Sequence, residues 1–483
     1  MFRTRFVQFS RTLNDSIFLR KSQSQEKAKK LPISAIFRTI VTSYHIHFNP
    51  PGSFIMAKFD FKTVSIIGLG YVGLPLAVRA KEKGYTVIGF DIDEKKIALL
   101  KSGTNPFRDT YLEANLKKFS PDFTLEAQDL ASADIHIICV PTPVDDAHHP
   151  DLGPVIGACE TVASQTKKGA LIILESTVNP HVSEEVVQPI FEKHGFTVGK
   201  DIYISHCPER INPGDPKWNV TNIPRVVGSF DQTGLDMSLQ FYRSIVDADI
   251  RPMKTIREAE AVKILENSFR NINIAFVNEI ARSFDKLDID VKDVIEGAAT
   301  KPFAFMAHYP SCGVGGHCIP VDPHYLVERA KESGFNHRFL KLAIETNDGM
   351  PEYTVERLQD AMNEKEMALK NRVIGVLGLS YKANVDDLRE SPSFEIIDLL
   401  KSHSSLVETF DPHVKHMSSA ESLEALLEKA DAVVVATDHR EFKEALTPAL
   451  LQKYDISVIV DGKNCLDKEA FEKSGIVYRG IGR

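Results

Sequence analysis

The sequence predicts an α/β fold in which two doubly wound domains flank a helical middle. Three observations carry this expectation. From Lys62 onward, short apolar, β-rich runs alternate with helix-length segments. From Asn371 the same alternation resumes. Between the two blocks, Ile256 to Leu287 runs without Gly or Pro. Such alternation builds βαβ units and a parallel sheet. A length of 483 residues agrees, being too long for one ordinary core and natural for two or three domains.

The first 55 residues stand apart, rich in Arg and Lys (Arg3, Arg5, Arg11, Arg20, Lys21, Lys27) with only Asp15 and Glu26 as acids. This composition resembles an organellar transit peptide. The preferred alternative is an upstream extension ahead of a start at Met56, because composition alone identifies transit peptides poorly. Either way the segment is expected to lie outside the fold. The remaining boundaries are expected at 56–254, 255–370 and 371–483.

In the first block the strand candidates are TVSII, YTVIGF, DIHIICV and ALIILE, with IYISHC after them. Gly68, Gly70 and Gly73 fit G-x-G-x-x-G directly after a strand and at a helix start. The first glycine permits the tight turn and the second lets the backbone approach a pyrophosphate. The third allows close helix–strand packing, and the helix N-terminus favours phosphate charge. Asp91 ends the next strand about twenty residues on, where a ribose-binding acid belongs. Such an acid binds a 2′-hydroxyl and repels a 2′-phosphate, so NAD is expected over NADP. Thr142 in Cys139–Pro143 and Thr177 in Glu175–Val178 lie just past further strands, at the edge where α/β ligands bind.

The middle segment, if helical throughout, spans on the order of 45 Å at 1.5 Å per residue. It is long enough to join two domains or to form a dimer seam. Lys263 and Asn267 share one of its faces. A glycine-rich stretch follows, Gly313 to Asp322, with Cys318 behind Gly313, Gly315 and Gly316. Three glycines ahead of one cysteine suit a backbone that approaches a substrate and aims N–H groups at an oxyanion. Asp322 is placed to hold a water or orient a proton acceptor. A buried inert thiol is the commoner fate of a free cysteine. Cys312, His317, Cys318 and His324 also lie together, but their spacing is not Cys-x2-Cys and no second pair exists, so no metal is expected.

In the last block RVIGVLGLS, LVETFD, DAVVVATD and ISVIVDG read as strands, and Ser391-Pro392 as an N-cap before a first-turn proline. Composition adds limits: 43% hydrophobic and 26% charged residues are those of a soluble globular chain. No apolar run reaches the length of a membrane span. A net charge of −8 argues against nucleic acid. Six scattered cysteines suit a reducing cytosol.

Taken together, GLGYVG, VPTP, ESTV, Pro208-Glu209, VKILEN, the GGHC loop and the run from Gly378 to Pro392 resemble the UDP-glucose/GDP-mannose dehydrogenase family, from about Lys58 to Gly462. The resemblance implies an NAD-binding domain, a central helical domain and a UDP-binding domain in a homodimer or higher homo-oligomer. The activity it implies is NAD-dependent oxidation of a sugar C6 alcohol to a uronate, feeding surface polysaccharide synthesis. By it, Cys318 is the nucleophile, Lys263 and Asn267 stabilise the oxyanion, and Thr177 with Asp322 positions water. Lys263 near Cys318 is expected to favour the thiolate. Glu209 is the acid/base group. Arg210, Gly315 and Lys382 contact the nucleotide sugar beside Glu209, Lys263 and Asn267. Tyr71, Val72, Thr142 and Thr177 join Gly68, Gly70, Gly73 and Asp91 around NAD.

Two departures bear on the substrate. UDP-glucose members tend to carry a second Glu where this chain has Pro213, and a Lys before the loop Asp where it has Val321. ERINPGD, GGHCIPVDP and TKPFAF resemble the branch that oxidises UDP-N-acetylhexosamines, UDP-N-acetylglucosamine first among them, with UDP-glucose as the alternative. A 6-phosphogluconate-type dehydrogenase needs neither the Gly-loop cysteine nor a second α/β block. A UDP-sugar sensor without catalysis predicts a lost nucleophile, yet Cys318 is present.

Overall fold

The computed structural model describes residues 58–107, 109–144, 150–211 and 217–483. The basic leader, the start at Met56 and Pro213 lie outside the described residues. Lys58–Arg483 forms one unit built on two sheets.

The first sheet has eight strands: β1 (Thr63–Ile67), β2 (Thr86–Phe90), β3 (Asp122–Thr124), β4 (Ile135–Ile138), β5 (Leu171–Leu174), β6 (Tyr203–His206), β7 (Arg225–Ser229) and β8 (Ile250–Pro252). Their order is β3-β2-β1-β4-β5-β6-β7-β8, parallel throughout except between β6 and β7. The second sheet is β9 (Val373–Leu377), β10 (Leu406–Phe410), β11 (Ala432–Val435), β12 (Val458–Asp461) and β13 (Val477–Gly480), ordered β10-β9-β11-β12-β13. All of its pairs are parallel. β4, β5, β11 and β12 are buried at every residue, which is why they read as unbroken apolar runs: helices cover both faces of a parallel sheet. In each sheet the strand order reverses at the first strand, opening a crevice at its carboxyl end.

The helix Ile256–Lys286 connects the two halves over 31 residues. Its start is fixed by a capping box. The Thr255 hydroxyl accepts from the Glu258 amide at 3.2 Å, and the Glu258 carboxylate accepts from the Thr255 amide at 3.2 Å. Ile256 belongs to the first sheet's core. Toward the other end Val277 and Ala281 pack with Met350, Tyr353 and Ile481. Arg357 pairs with Asp285 at 2.8 Å, tying that end to the helix Met350–Asn363, which lies against β12 and β13. One local expectation fails. The helix Pro392–Ser402 does start where predicted, but the Ser391 hydroxyl makes no capping bond and meets Ser393 Oγ at 3.3 Å instead. No described helix is long and apolar enough to cross a membrane.

Candidate active site

The dinucleotide turn comes first. Gly68 adopts φ +90°, and a Cβ there would lie 2.7 Å from the Cys139 carbonyl oxygen, so only glycine fits between β1 and β4. A Cβ on Gly70 would meet nothing within 4 Å, leaving its backbone bare for a ligand. The helix Gly73–Glu82 follows with Val72 at its N-cap and no side-chain cap; Leu74 N–H turns back to the Gly70 carbonyl at 3.2 Å and Pro75 has none, so the helix presents its positive end and the Gly73 amide to a phosphate. Asp91 is buried and accepts from the Leu69 amide at 2.8 Å and the Asp93 amide at 3.0 Å. Its Oδ2 also pairs with Lys96 Nζ at 2.8 Å, a cation the sequence reading missed. An uncapped helix, a bare glycine and a carboxylate at the end of β2 fit NAD.

The cysteine loop is held by the connecting helix and by the second sheet. Three asparagines of the helix grip it. Asn267 Nδ2 donates to Asp322 Oδ2 at 2.5 Å, Asn271 Nδ2 to the Ile319 carbonyl at 3.1 Å, and Asn278 Oδ1 accepts from the Ser311 amide at 3.0 Å. From the other side Cys312 donates its amide to the Gly462 carbonyl at 2.8 Å, and Gly316 to the Arg389 carbonyl at 2.9 Å. The glycines answer to packing. A Cβ on Gly315 would lie 2.6 Å from the Glu390 carbonyl oxygen, and one on Gly316 (φ +89°) 2.7 Å from the Tyr381 ring. Gly316 N–H is thereby committed to Arg389 and is not offered to an oxyanion. The loop runs into the helix Asp322–Glu332, whose Tyr325 hydroxyl donates to the Thr142 carbonyl beside the first sheet.

Of the six cysteines, Cys318 alone is exposed; Cys139, Cys159, Cys207 and Cys312 are buried and Cys465 is half-buried. Exposure and desolvation coexist at Cys318: one side faces solvent while the loop and its neighbours crowd out much of the water. That crowding, with the charge of Asp322, raises the thiol to about 11, although Lys263 and then Arg389 pull it down. Lys263 acts in the expected direction and is outweighed. Asp322 is itself raised to about 6 by burial, against the pull of Lys263 and Asn267.

Glu209 is buried just past β6. Its Oε1 accepts from the amides of Arg210, at 2.5 Å, and Ile211, and its Oε2 faces Arg225 Nη2 at 3.4 Å. Arg210 is occupied by Glu266 on the connecting helix, at 3.1 and 2.5 Å, and by the Pro224 carbonyl at 2.9 Å. It is thus directed at that helix before any ligand arrives. Thr177 is half-buried beyond β5, and Lys382 is half-buried in the loop after β9. Tyr71 reaches the same loop: burial, and then the charges of Asp386 and Asp387, push its hydroxyl up to about 12.

The structure thus brings Cys318, Lys263, Asn267 and Asp322 together. It adds Asn271, Asn278, Tyr381 and Arg389, which sequence reasoning missed. Asparagines 267, 271 and 278, on one helix face among apolar neighbours, were the available signal. Cys312, His317, Cys318 and His324 do not gather as a metal site. Among the described residues the ligand-type atoms that do come within 4.8 Å of one another are those of His413, His439 and Glu441. There His439 is already engaged, its Nδ1 accepting from the Asn384 amide at 2.9 Å and its Nε2–H donating to Asp411 Oδ2 at 3.1 Å, so both ring nitrogens are taken.

Two doubly wound sheets joined by a long helix, one carrying an open dinucleotide turn, define a dinucleotide-dependent oxidoreductase. The chain belongs to the UDP-glucose/GDP-mannose dehydrogenase family. It matches that family's NAD binding domain over residues 62–246, its central domain over 257–349 and its UDP binding domain over 375–468. It is 34% identical to UDP-N-acetyl-D-mannosamine dehydrogenase of Pyrococcus horikoshii over 87% of this chain and 99% of that protein. It is 38% identical to UDP-N-acetyl-D-glucosamine 6-dehydrogenase of Pseudomonas aeruginosa over 79% of this chain and 91% of that protein. The solved structure of the Pyrococcus horikoshii UDP-D-ManNAc dehydrogenase superposes with a TM-score of 0.82 at 34% identity, covering 87% of this chain and 99% of that one. NAD is the cofactor of this fold.

Proposed function

We propose that the protein oxidises the C6 alcohol of a UDP-N-acetylhexosamine to the uronate through a covalent intermediate on Cys318. The observation that carries this is the one exposed cysteine, set where Lys263, Asn267, Asp322 and the second-sheet loop converge. NAD, when bound at Gly68–Gly73 and Asp91, accepts a hydride in each of two oxidations. Glu209 takes the alcohol proton as the aldehyde forms. The Cys318 thiol adds to the aldehyde, giving a thiohemiacetal whose oxygen Lys263 and Asn267 stabilise. The second oxidation leaves a thioester, and water held by Thr177 and Asp322 hydrolyses it.

The sugar is read as UDP-N-acetylglucosamine, supported by the Pro213 and Val321 departures and by the 38% identical relative. A second reading, UDP-N-acetylmannosamine, is supported by the relatives that match over more of the chain. An NADH-production assay over both sugars and UDP-glucose tests the assignment, and a strong preference for UDP-glucose would overturn the N-acetyl reading. Lys382 and, once released from Glu266, Arg210 are proposed contacts to the nucleotide sugar, with Gly315 beside them. The domains divide near residues 254 and 370. Leu265, Phe269 and Phe276 are exposed along one stripe of the connecting helix, which supports a homodimer seam there. Sedimentation of the protein with Phe269→Glu tests the seam, with dissociation expected. The enzyme is placed in the cytoplasm, supplying polysaccharide synthesis.

A further inference from the structure

Behind Glu209 lies a buried charge cluster that these steps leave unused. Arg225 on β7 is 2% exposed and Glu175, at the end of β5, 1%. Arg225 Nη1 donates to Glu175 Oε1 at 2.9 Å, and Nη2 faces Glu209 Oε2 at 3.4 Å. Tyr242, from the helix Gln232–Ile245, donates its hydroxyl to the same Glu175 oxygen. Its ring lies 5.2 Å from the guanidinium. One guanidinium thus serves two carboxylates. If all three groups ionise, a net negative charge sits in a medium that solvates it poorly. A proton on one carboxylate removes it.

The two carboxylates are not equivalent. Glu209 receives two backbone N–H groups, which stabilise its charged form. Glu175 Oε2 is buried with no hydrogen-bond partner among the described residues, so it gains nothing there from being charged. We infer that Glu175 is a positioning residue for Glu209: it carries the pair's one proton and so leaves the charge of Arg225 to Glu209. The inference rests on reading Glu209 as the acid/base group. Burial, only partly offset by Arg225 and reinforced by Glu209, moves Glu175 up to about 7. The other titratable groups facing it are Cys139 past β4, Cys207 past β6 and Tyr242. Burial raises all three, Cys207 to about 12, so they are neutral there. When Glu175 ionises it competes with Glu209 for Arg225.

Infrared titration of the full-length enzyme tests this without reference to turnover. A protonated-carboxyl component fading with a midpoint near 7 is expected, lost in Glu175→Gln, while the Asp322 component with a midpoint near 6 remains. Glu209→Gln should move the Glu175 midpoint down by about one unit or more, because Glu175 then has Arg225 to itself. Tyr242→Phe, which removes a donor to Glu175, should move it up and serves if Glu175→Gln does not fold. In turnover, Glu175→Gln should lose the inflection near pH 7 of the wild-type profile and keep the acid limb, whereas a purely structural role would lower the rate at every pH alike. A titration in which Glu175→Gln removes no carboxyl component, or a Glu175 midpoint unmoved by Glu209→Gln, overturns the inference. If instead the component behaves as expected while Glu209→Gln keeps full turnover, the coupling stands and Glu209 is not the acid/base group.

Discussion

After β1 the Gly68 amide donates to the Phe90 carbonyl at 2.9 Å and the Leu69 amide to Asp91 Oδ2 at 2.8 Å. After β9 the Gly378 amide donates to Phe410 at 2.9 Å and Leu379 to Asp411 Oδ2 at 2.8 Å. The two glycines sit at φ +90° and +96°. Up to this point the halves are copies of one device. Then they part. In the first half the chain enters a helix at Gly73, turning an uncapped helix N-terminus to the crevice. In the second it runs as a loop to Pro392, and that loop carries Tyr381, Arg389 and Glu390 onto the cysteine loop. The acids diverge as well. Asp91 makes two amide bonds and a pair with half-buried Lys96, whereas Asp411 is saturated by the amides of Leu379, Ser380, His413 and Val414, the Ser380 hydroxyl and His439. The same turn therefore holds a lightly bonded acid in one half and a saturated, structural acid in the other.

The largest effect expected from this difference is on stability. Asp411→Ala orphans a buried histidine and several amides and should cost about 3–5 kcal/mol, measured by denaturant unfolding. Asp91→Ala should cost much less. Burial alone would raise Asp411, but the hydrogen bond from His439, with the Ser380 and Leu379 amides, holds it well below the usual carboxylate range. A carboxyl lowered on folding stabilises the protein above its unfolded pKa of about 4 and loses that contribution as pH falls below it. The wild type should accordingly lose stability in acid more steeply than Asp411→Ala. Equal losses for the two alanine variants would break the comparison.

A smaller effect sharpens it on the ligand side. NAD should outperform NADP in the wild type. Asp91→Ala removes the carboxylate that repels a 2′-phosphate and frees Lys96 to meet one, so the NAD/NADP ratio of kcat/KM should fall by about one to two powers of ten, roughly 1.4 kcal/mol each. An unchanged ratio would show that the acid at this position faces no ribose. The smallest effect concerns helix starts. Thr255→Ala should cost about 1 kcal/mol by opening a capping box, while Ser391→Ala should stay within about 0.5 kcal/mol because its hydroxyl caps nothing.

Much of this architecture was legible in the sequence because buried parallel strands write unbroken apolar runs. β3, β7, β8 and β13 were missed; they are short or interrupted by polar residues, as in Ile250-Arg251-Pro252. Cys318, Lys263, Asn267 and Asp322 were legible through glycine spacing and helix periodicity, which are local signals. Tyr381 against Gly316, Arg389 beside Cys318 and Arg225 between Glu175 and Glu209 were not. Each joins segments far apart in the chain, and no local pattern records such contacts. The pull of Lys263 on Cys318 was legible from the sequence, whereas the burial that outweighs it belongs to the packed loop.

The central claim, a covalent thioester on Cys318, is tested most directly by following the products of Cys318→Ser against the wild type with a UDP-N-acetylhexosamine and NAD. The serine hydroxyl is similar in size and a far poorer nucleophile at neutral pH. The expected result is loss of free uronate, with any slow reaction seen by mass spectrometry as an ester adduct on residue 318. Cys312→Ser, a change at a buried thiol bonded to the Ala436 carbonyl, should keep turnover and separate the nucleophile from a general need for sulfur. Release of uronate by Cys318→Ser at near-normal rate, with two NADH per sugar, would contradict the account.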